Sequence, residues 1–336
     1  MSQLYRMCAG RATRGLLAAE RVCCKIGCGG QGRQRKEGAD ISGSAAAKSE
    51  APARPDVHYD FEARRVRRLE RGPFDIIGDV HGCFLELLDL LARLGYVRAG
   101  GGMSHPEGRR AVFIGDLTDR GPHSVSTVML VDAMVRAGDA LYVPGNHCRK
   151  LYRYLAGRDV SVEHGLETTV RELDALPGRE RRAVSRTFRR LYEEAPPYMI
   201  LDDGRLVAVH AGIREDMIGR LSKSIERFCL YGDVTGERTP EGFPVRRDWA
   251  RDYRGEALVV YGHTPVRDAV FRYNTINIDQ GCVFGGRLTA LRYPEMEIVQ
   301  VPARAAYDPR VVFRDMPPEP PASSDRPANS RATTIG

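Results

Sequence analysis

The sequence lacks the features of a membrane-spanning or secreted protein. None of its apolar runs, such as LLDLLARL and ALVVY, approaches the ~20 residues that span a bilayer. Its eight cysteines are scattered, and a chain of this length does not need disulfides to fold. We therefore expect no transmembrane segment, a reducing compartment and a cytoplasmic location.

The sequence also has no excess charge outside one end of the chain. The formal net charge is +7, but residues 1–72 carry 15 Lys and Arg against 8 Asp and Glu, and the rest of the chain carries 36 of each. The body of the protein thus has no net field that would attract nucleic acid. The basic arm either contacts nucleic acid or an anionic surface, or is a solvated tail.

The arm allows two further interpretations. Its first 36 residues contain one acidic residue, Glu20, and this Arg-rich composition also fits a mitochondrial transit peptide, the alternative to a cytoplasmic location. The only clustered cysteines are Cys23, Cys24 and Cys28. A zinc site usually needs four ligands from paired clusters, and the arm has no second cluster, so we do not predict a metal site there.

Composition divides the chain into three parts. We expect residues 1–72 to be a basic, largely disordered arm, residues 73–302 to be a metal-binding globular domain, and residues 303–336 to be a Pro-rich disordered tail.

One pattern recurs through the domain: a short β-prone apolar run ends in a glycine-containing turn that carries Asp, Asn or His. The six examples are FDII–GDVHG, AVFI–GDLTDRG, ALYV–PGNHC, RLVAV–HAG, ALVVY–GHTP and TINI–DQG. Helical stretches such as CFLELLDLLARLGY separate the runs, which predicts an α/β fold. In such folds ligands bind at the carboxyl ends of the strands, so we expect a single site there.

The residues at these strand ends suit divalent metal ions. Oxygen and nitrogen ligands of intermediate hardness favour Mn, Fe, Zn and similar ions. Two ions about 4 Å apart need several such ligands, one of them shared. The candidate metal ligands are Asp79, His81, Asp116, Asn146, His210 and His263.

The motifs GDVHG, GDLTDRG, GNH, VHAG and GHTP resemble those of the calcineurin-like metallophosphoesterases, in the branch of the phosphoprotein phosphatases and bacterial diadenosine tetraphosphatases. The segments EHGLETTVREL, LYGDVTG, PVRRDWARDYRG, VVYGHTPV and GCVFGGRLTALRYP further resemble the phosphatase module of bacterial polynucleotide kinase-phosphatase. The resemblance covers Phe74 to Val301. It implies a two-sheet βαβ sandwich with a helical insertion and a dinuclear metal site at the strand ends.

The resemblance also assigns the metal ligands to two ions. It implies that Asp79 and His81 bind the first metal and that Asp116 bridges both metals. Asn146, His210 and His263 are the implied ligands of the second metal. The implied cofactor is two divalent ions, with Mn²⁺ expected and Ni²⁺, Co²⁺, Fe or Zn²⁺ as alternatives.

Four further residues receive roles from the same resemblance. His147 is the implied general acid, and Asp119 orients its ring. Arg120 would bind the substrate phosphate through its planar guanidinium. Asp279, in INIDQG, would orient one of the metal ligands.

These roles imply a metallophosphatase that hydrolyses phosphate esters of nucleotides or nucleic-acid ends through a water activated by two metals. The alternatives are a bis(5'-nucleosyl)-tetraphosphatase or Ser/Thr protein phosphatase with the same site, and a catalytically silent binding module that uses the basic arm. Bacterial polynucleotide kinase-phosphatase is an RNA-repair enzyme that also has kinase and ligase modules. This sequence contains neither module and no GxxxxGKS/T loop. A role in RNA repair is therefore not implied.

Two departures from the family pattern and one predicted lid segment distinguish this sequence. Cys148 stands where the family usually has an acidic residue, and DQG replaces the usual DTG. We expect both to adjust the surroundings of the site without abolishing catalysis. The segment Leu151–Tyr198 is the predicted lid, and its two expected helices carry many arginines that either contact a polyanion or face solvent.

Overall fold

Both faces of the motif-bearing strands are buried, which explains why their sequences are continuously apolar. In strand β1 (Phe74–Ile77), Phe74 and Ile76 face one core and Ile77 faces another. Strand β4 (Arg110–Phe113) pairs with β1 in parallel, and its residues alternate between the same two cores.

The computed structural model describes residues 70–240, 242, 244–309 and 313. Two sheets form its centre. The first has the strand order β13–β14–β1–β4–β5, with β15 paired to β14. Besides β1 and β4, its strands are β5 (Ala140–Tyr142), β13 (Asp279–Gln280), β14 (Arg287–Tyr293) and β15 (Glu297–Pro302).

The second sheet has the order β11–β12–β10–β7–β6. Its strands are β6 (Tyr198–Leu201), β7 (Leu206–Val209), β10 (Leu258–Tyr261), β11 (Phe271–Arg272) and β12 (Thr275–Asn277). Two hairpins stand apart from both sheets and are formed by β2 (Val97–Ala99) with β3 (Gly102–Ser104), and β8 (Val234–Arg238) with β9 (Pro244–Arg246).

Six α-helices cover the sheets in the described part of the chain. They are α1 (Phe84–Leu94), α2 (Ser124–Ala137), α3 (Asn146–Leu155), α4 (Leu166–Asp174), α5 (Gly178–Glu194) and α6 (Lys223–Tyr231). In α1 the buried Leu87, Leu90, Leu91 and Leu94 recur at helical spacing and form one face. The helix ends at Gly95, whose left-handed φ of 99° lets its N–H reach back to the last turn.

Three cores hold these layers together. One lies between the two sheets, a second lies between the first sheet and helices α1 to α5, and the third lies between the second sheet and α6. The predicted α/β sandwich is therefore confirmed, and helices α4 and α5 form the helical insertion. No described helix is long and apolar enough to cross a membrane.

The first residues of the predicted tail belong to the described structure, and the predicted arm is almost entirely outside it. The arm up to residue 69 and most of the tail lie outside the described residues, so the predictions for nucleic-acid contact, a transit peptide and Cys23, Cys24 and Cys28 stay predictions. Beyond β15, Tyr307 donates its hydroxyl to Glu86 at 2.8 Å, and Asp308 approaches Arg120 at 3.6 Å. The first residues of the predicted tail therefore pack against the domain.

Candidate metal centre

The side chains that follow the parallel strands of both sheets meet at one rim of the sandwich. β1, β4 and β5 are parallel in the first sheet, and β7 and β10 are parallel in the second. Their carboxyl ends therefore share an edge in each sheet. The predicted metal ligands lie on this rim, buried or half-buried: Asp79, His81, Asp116, Asn146, His210 and His263.

Three donor atoms surround Nε2 of His210. Its Nε2 lies 3.0 Å from Asn146 Oδ1, 3.1 Å from His263 Nδ1 and 3.4 Å from Asp116 Oδ2. Ligands held at ~2.1 Å from one ion are expected to be roughly 3 to 3.5 Å apart. The His210 Nδ1–H donates to the Ile114 carbonyl at 3.0 Å, which leaves Nε2 with its lone pair on the side of the other donors. These four residues fit a divalent ion.

The second group of donors surrounds His81. Its Nδ1–H donates to the Thr118 carbonyl at 2.9 Å, and its Nε2 lies 3.7 Å from Asp116 Oδ2. Asp79 accepts the His263 backbone N–H at Oδ2, at 3.1 Å. The other oxygen of Asp79, Oδ1, is buried and has no hydrogen-bond partner in the described structure. A buried carboxylate oxygen without a partner is costly, and a cation beside it would remove that cost.

Asp116 belongs to both groups. Donor atoms of Asp116, His210 and His263 lie within 4.8 Å of one another, as do those of His81, Asp116 and His147. Its Oδ1 accepts the His147 backbone N–H at 2.9 Å, at the positive amino end of α3. The set of three donors around His81 therefore includes His147, whereas the sequence prediction pairs His81 with Asp79. The bridging position expected for Asp116 is thus compatible with the geometry.

The buried charges of the rim favour positive ions. Burial and the charge of Asp279 raise the pKa of Asp79 well above its usual value. Burial also raises the pKa of Asp279, to about 6. Burial opposes ionisation of Asp116, but the imidazoles of His210 and His147 hold its pKa well below the usual value. Burial lowers the pKa of His210, yet Asp116 and Asp79 raise it to about 9.

Five non-glycine residues of the rim have a strained backbone. His81, Asp116, Asp119, Arg120 and His263 all have positive φ, between 29° and 77°. Non-glycine residues rarely adopt this region, and such strain clusters at functional sites where the surrounding structure enforces it. The turns after the strands are therefore shaped by the placement of these side chains.

Two glycines make room for the carboxylates. A Cβ atom at Gly145 would overlap Asp116 Oδ1, and one at Gly262 would lie 2.5 Å from Asp79 Oδ1. At these two positions glycine leaves space for ligand side chains.

The predicted acid and its partner form a buried dyad. His147 Nδ1 lies 2.8 Å from Asp119 Oδ2, and because a carboxylate only accepts, Nδ1 carries the proton. The ring of His147 packs edge-on against His81, with centroids 4.9 Å apart. His147 Nε2 is then the atom left for substrate or metal, and its assignment as the acid stays a prediction.

Arg120 lies next to the second group of donors, the one around His81. Its Nη1 donates to His81 Nε2 at 2.8 Å, and its guanidinium stacks over Phe284 at 5.3 Å. Asp308 lies 3.6 Å from its Nε. The planar guanidinium is therefore held at the rim from two sides, where it could bind a phosphate bidentately.

Asp279 and Cys148 lie beside the ligands. Asp279 is buried, and its Oδ1 accepts the Gly281 N–H at 2.9 Å. No hydrogen bond joins it to a predicted ligand within the described residues. Burial and the Asp116 carboxylate raise the pKa of Cys148 to about 12. Cys148 is thus a neutral thiol where the family usually has an acidic residue.

Two residues at the site were not predicted. Thr169 of α4 contacts Asp119, and Arg246 of β9 has Nη2 3.0 Å from His263 Nε2. Arg246 lies in PVRRDW, a segment that resembled the family but received no role. Thr169 lies in EHGLETTVREL, which also resembled the family but received no role. Its contact with Asp119 depends on how α4 packs.

Known proteins resemble the chain over this same region. The family model described as calcineurin-like phosphoesterase matches residues 72–299. Bis(5'-nucleosyl)-tetraphosphatase PrpE [asymmetrical] of Halalkalibacterium halodurans is 58% identical over 231 residues, which are 69% of this chain and 94% of that protein. The protein of the same name from Geobacillus thermodenitrificans is 58% identical over 235 residues, 70% of this chain and 96% of its own.

The fold has a counterpart among solved structures. A crystal structure of a candidate diadenosine tetraphosphatase has a TM-score of 0.51 and 24% identity, and the match covers 71% of this chain and 97% of that one. At this identity the likeness concerns the fold alone.

Proposed function

Because the chain belongs to the calcineurin-like phosphoesterase family, whose members are metal-dependent phosphoesterases, we propose that it hydrolyses dinucleoside tetraphosphates asymmetrically. The products would be a nucleoside triphosphate and a nucleoside monophosphate. The observation that carries the proposal is the 58% identity to a PrpE tetraphosphatase across 94% of that protein. The relatives thus favour the tetraphosphatase alternative over the phosphatase of nucleotides or nucleic-acid ends that the sequence favoured.

Calcineurin-like phosphoesterases use two divalent ions, and the residues present fit them. Asp79, His81 and Asp116 would hold one ion; Asp116, Asn146, His210 and His263 would hold the other. Bound ions supply Lewis-acid stabilisation of phosphoryl charge and a nucleophilic water at neutral pH. Manganese is the ion that we propose, with nickel, cobalt, iron and zinc as alternatives.

His147 and Asp119 would manage the proton of the leaving group. The hydrogen bond from His147 Nδ1 to Asp119 fixes the tautomer and the ring orientation. Nε2 can then hold a proton and donate it to the departing oxygen. Because both side chains are buried, the geometry of the pair is maintained between turnovers.

Arg120 would bind the phosphate that reacts. In the structure its guanidinium donates to His81 Nε2, the same atom that would bind a metal. An imidazole nitrogen has one lone pair, so it serves either the arginine or the ion. Metal binding would therefore release Arg120 toward the substrate, while Phe284 and Asp308 keep it at the rim.

The test is a substrate panel with the purified chain and manganese. It contains diadenosine tetraphosphate, 2'- and 3'-nucleotides, cyclic nucleotides, an RNA with a terminal phosphate and a phosphopeptide. We expect the tetraphosphate to have the highest kcat/KM and to yield ATP and AMP in equal amounts by ion-exchange chromatography. Two ADP molecules per substrate would contradict asymmetrical cleavage. Preference for the RNA end or the phosphopeptide would favour the corresponding alternative, and no turnover at all would favour the binding module.

A further inference from the structure

We propose that a cavity lined by arginines beside the metal centre binds the part of a dinucleoside polyphosphate that leaves, namely its polyphosphate chain and second nucleoside. This inference rests on the proposed tetraphosphatase function. The cavity has a volume of about 440 Å³, and its lining includes Arg149, Arg153, Arg227, Arg238 and Arg246. We call it the arginine cavity. Its volume is typical of small-ligand pockets, about 300 to 1,000 Å³.

The charge of the arginine cavity fits a polyanion. Glu237 is the only acidic residue among the described lining residues. Arg149, Arg153 and Arg227 form no ion pair with any carboxylate in the described structure. Guanidinium groups that face a common space repel one another. A bound phosphate offsets this repulsion, because its oxygens accept bidentate, charge-assisted hydrogen bonds from them. A polyphosphate supplies several negative charges in a row.

Helix α3 connects the cavity to the metal centre. It begins at the predicted ligand Asn146, and Arg149 and Arg153 follow at three and seven residues along the chain. That spacing places all three on one face of the helix. A rise of 1.5 Å per residue separates Asn146 from Arg153 by about 10 Å. A chain of phosphates that starts at the metals would therefore run along these arginines.

Arg246 provides a second connection. Its Nη2 lies 3.0 Å from His263 Nε2, and its Nε donates to the Tyr231 carbonyl at 3.0 Å. It lines the arginine cavity and also a cavity of about 30 Å³ that His263 borders. Arg246 thus lies between the arginine cavity and His263, a member of the group of donors around His210.

Tyr231 provides a surface for the nucleoside. It is half-buried at the end of α6, four residues after Arg227, and both line the cavity. A base stacks on an aromatic ring with little dependence on its identity. We therefore expect the site to discriminate by phosphate-chain length much more than by base.

The test compares Arg149→Gln/Arg153→Gln with wild type on diadenosine tetraphosphate and on p-nitrophenyl phosphate, both with manganese. We expect the ratio of the two kcat/KM values to fall about tenfold or more, since hydrogen bonds to charged groups are lost. Arg182→Gln/Arg186→Gln is the matched control, because these arginines are exposed on α5 at the same spacing and do not line the cavity. Equal losses on both substrates, or an equal effect in the control, would overturn the proposal.

A second measurement does not depend on cleavage of the tetraphosphate. Inorganic triphosphate and inorganic orthophosphate are compared as inhibitors of p-nitrophenyl phosphate hydrolysis. The arginine cavity predicts that wild type prefers triphosphate and that Arg149→Gln/Arg153→Gln, and separately Arg227→Gln on α6, lose about tenfold of that preference. If wild type fails to cleave the tetraphosphate but keeps this preference, the proposed function is wrong and the anion site stands. If the preference is absent, the site is wrong whatever the substrate.

Variants at Tyr231 distinguish binding of the nucleoside from binding of the phosphate chain. Tyr231→Leu should raise KM for diadenosine tetraphosphate by about tenfold, because base stacking contributes roughly 1–3 kcal/mol, and Tyr231→Phe should restore it. Inorganic triphosphate carries no base, so its inhibition constant should be the same in both variants. A parallel loss of triphosphate inhibition would mean that Tyr231 supports the fold of α6 and does not contact the nucleoside.

Discussion

The hydroxyl of Thr169 lies 2.7 Å from Oδ1 of Asp119 and donates a hydrogen bond to it. The same hydroxyl oxygen accepts the Asp119 backbone N–H at 3.0 Å. The other oxygen of Asp119 accepts from His147 at 2.8 Å. The helical insertion therefore does more than cover the site: helix α4 fixes both the backbone and the carboxylate of the residue that orients the predicted acid.

Thr169→Val should weaken catalysis without unfolding the protein. The substitution keeps the shape but removes the hydroxyl, so Asp119 loses one partner at each end. We expect kcat on a ribose phosphate ester to fall by about fivefold, the equivalent of ~1 kcal/mol for one hydrogen bond, and to fall less on p-nitrophenyl phosphate. Thr169→Ser keeps the hydroxyl and should restore the wild-type ratio. If Thr169→Val lowers Tm but leaves the ratio unchanged, Thr169 is structural.

Removal of metal should abolish activity reversibly. Asp79 Oδ1 accepts no hydrogen bond within the described residues, and burial and the charge of Asp279 raise the pKa of Asp79, so a bound cation would stabilise its carboxylate. We expect no turnover of p-nitrophenyl phosphate after dialysis against a chelator. Turnover of this ester should recover on addition of manganese, nickel or cobalt. Full activity in excess chelator would exclude a metal-dependent reaction.

Asp116→Ala should be the most damaging change of a single ligand. Asp116 belongs to both groups of donors, so its loss affects both ions. We expect kcat to fall more than tenfold and the metal content, measured by mass spectrometry, to fall from two ions per chain to fewer than one. Asp159→Ala, at an exposed aspartate of the loop after α3, is the control. A kcat above a tenth of wild type would contradict the bridging role.

The sequence predicted the strands and most of the rim because those signals are local. Each apolar run and its following turn occur within about ten residues, and parallel strands place such turns together. The arginines of the two lid helices, by contrast, were expected either to contact a polyanion or to face solvent. The arginines that line the cavity come from α3, α6 and the β8–β9 hairpin. Which helix face meets a cavity is decided by packing, and one sequence does not carry that information.

The contacts of α4 could not be predicted for the same reason. Thr169 lies 50 residues after Asp119 in the chain, and a threonine in an exposed-looking helical segment gives no local sign of a buried partner. Asp308 likewise belongs to a segment of tail-like composition, yet it is buried beside Arg120. Composition describes the average of a segment and does not identify the single residue that anchors it.

Glu172→Gln should change how stability depends on pH. Burial raises the pKa of Glu172 to about 7 from 4.5, although its oxygens accept the N–H groups of Ser124 at 2.7 Å and Val125 at 3.0 Å at the start of α2. The folded state therefore binds a proton that the unfolded state releases above pH 4.5. Its contribution to stability is complete below pH 4.5 and is lost as the pH rises through 7.

The measurement is urea unfolding at pH 5 and pH 8, with saturating manganese at both. Glutamine does not titrate, so the free energy of unfolding of wild type should fall relative to Glu172→Gln by about 1–3 kcal/mol between the two pH values. Glu180→Gln, at a carboxylate of α5 that forms no hydrogen bond within the described chain, is the control. A constant difference between wild type and Glu172→Gln would show that Glu172 is ionised throughout.

His147→Ala should separate acid catalysis from metal binding. His147 Nδ1 donates to Asp119, and His147 also belongs to a group of possible metal ligands with His81 and Asp116, so geometry alone allows either role. A general acid matters most when the leaving group is a strong base. A ribose or serine alkoxide must be protonated as it departs, whereas p-nitrophenolate leaves without a proton. Leaving-group basicity therefore serves as the probe.

We expect His147→Ala to reduce kcat/KM on the alkoxide esters by a further ~10²–10⁴-fold beyond its effect on p-nitrophenyl phosphate, which is the usual contribution of a general acid. Asp119→Asn should shift the ratio in the same direction by less, because the carboxylate only orients the ring. His210→Ala should slow both classes of ester together, since His210 Nε2 lies among the metal donors. Equal losses on both esters for His147→Ala would make this histidine a ligand of metal or phosphate and would assign the proton to another group.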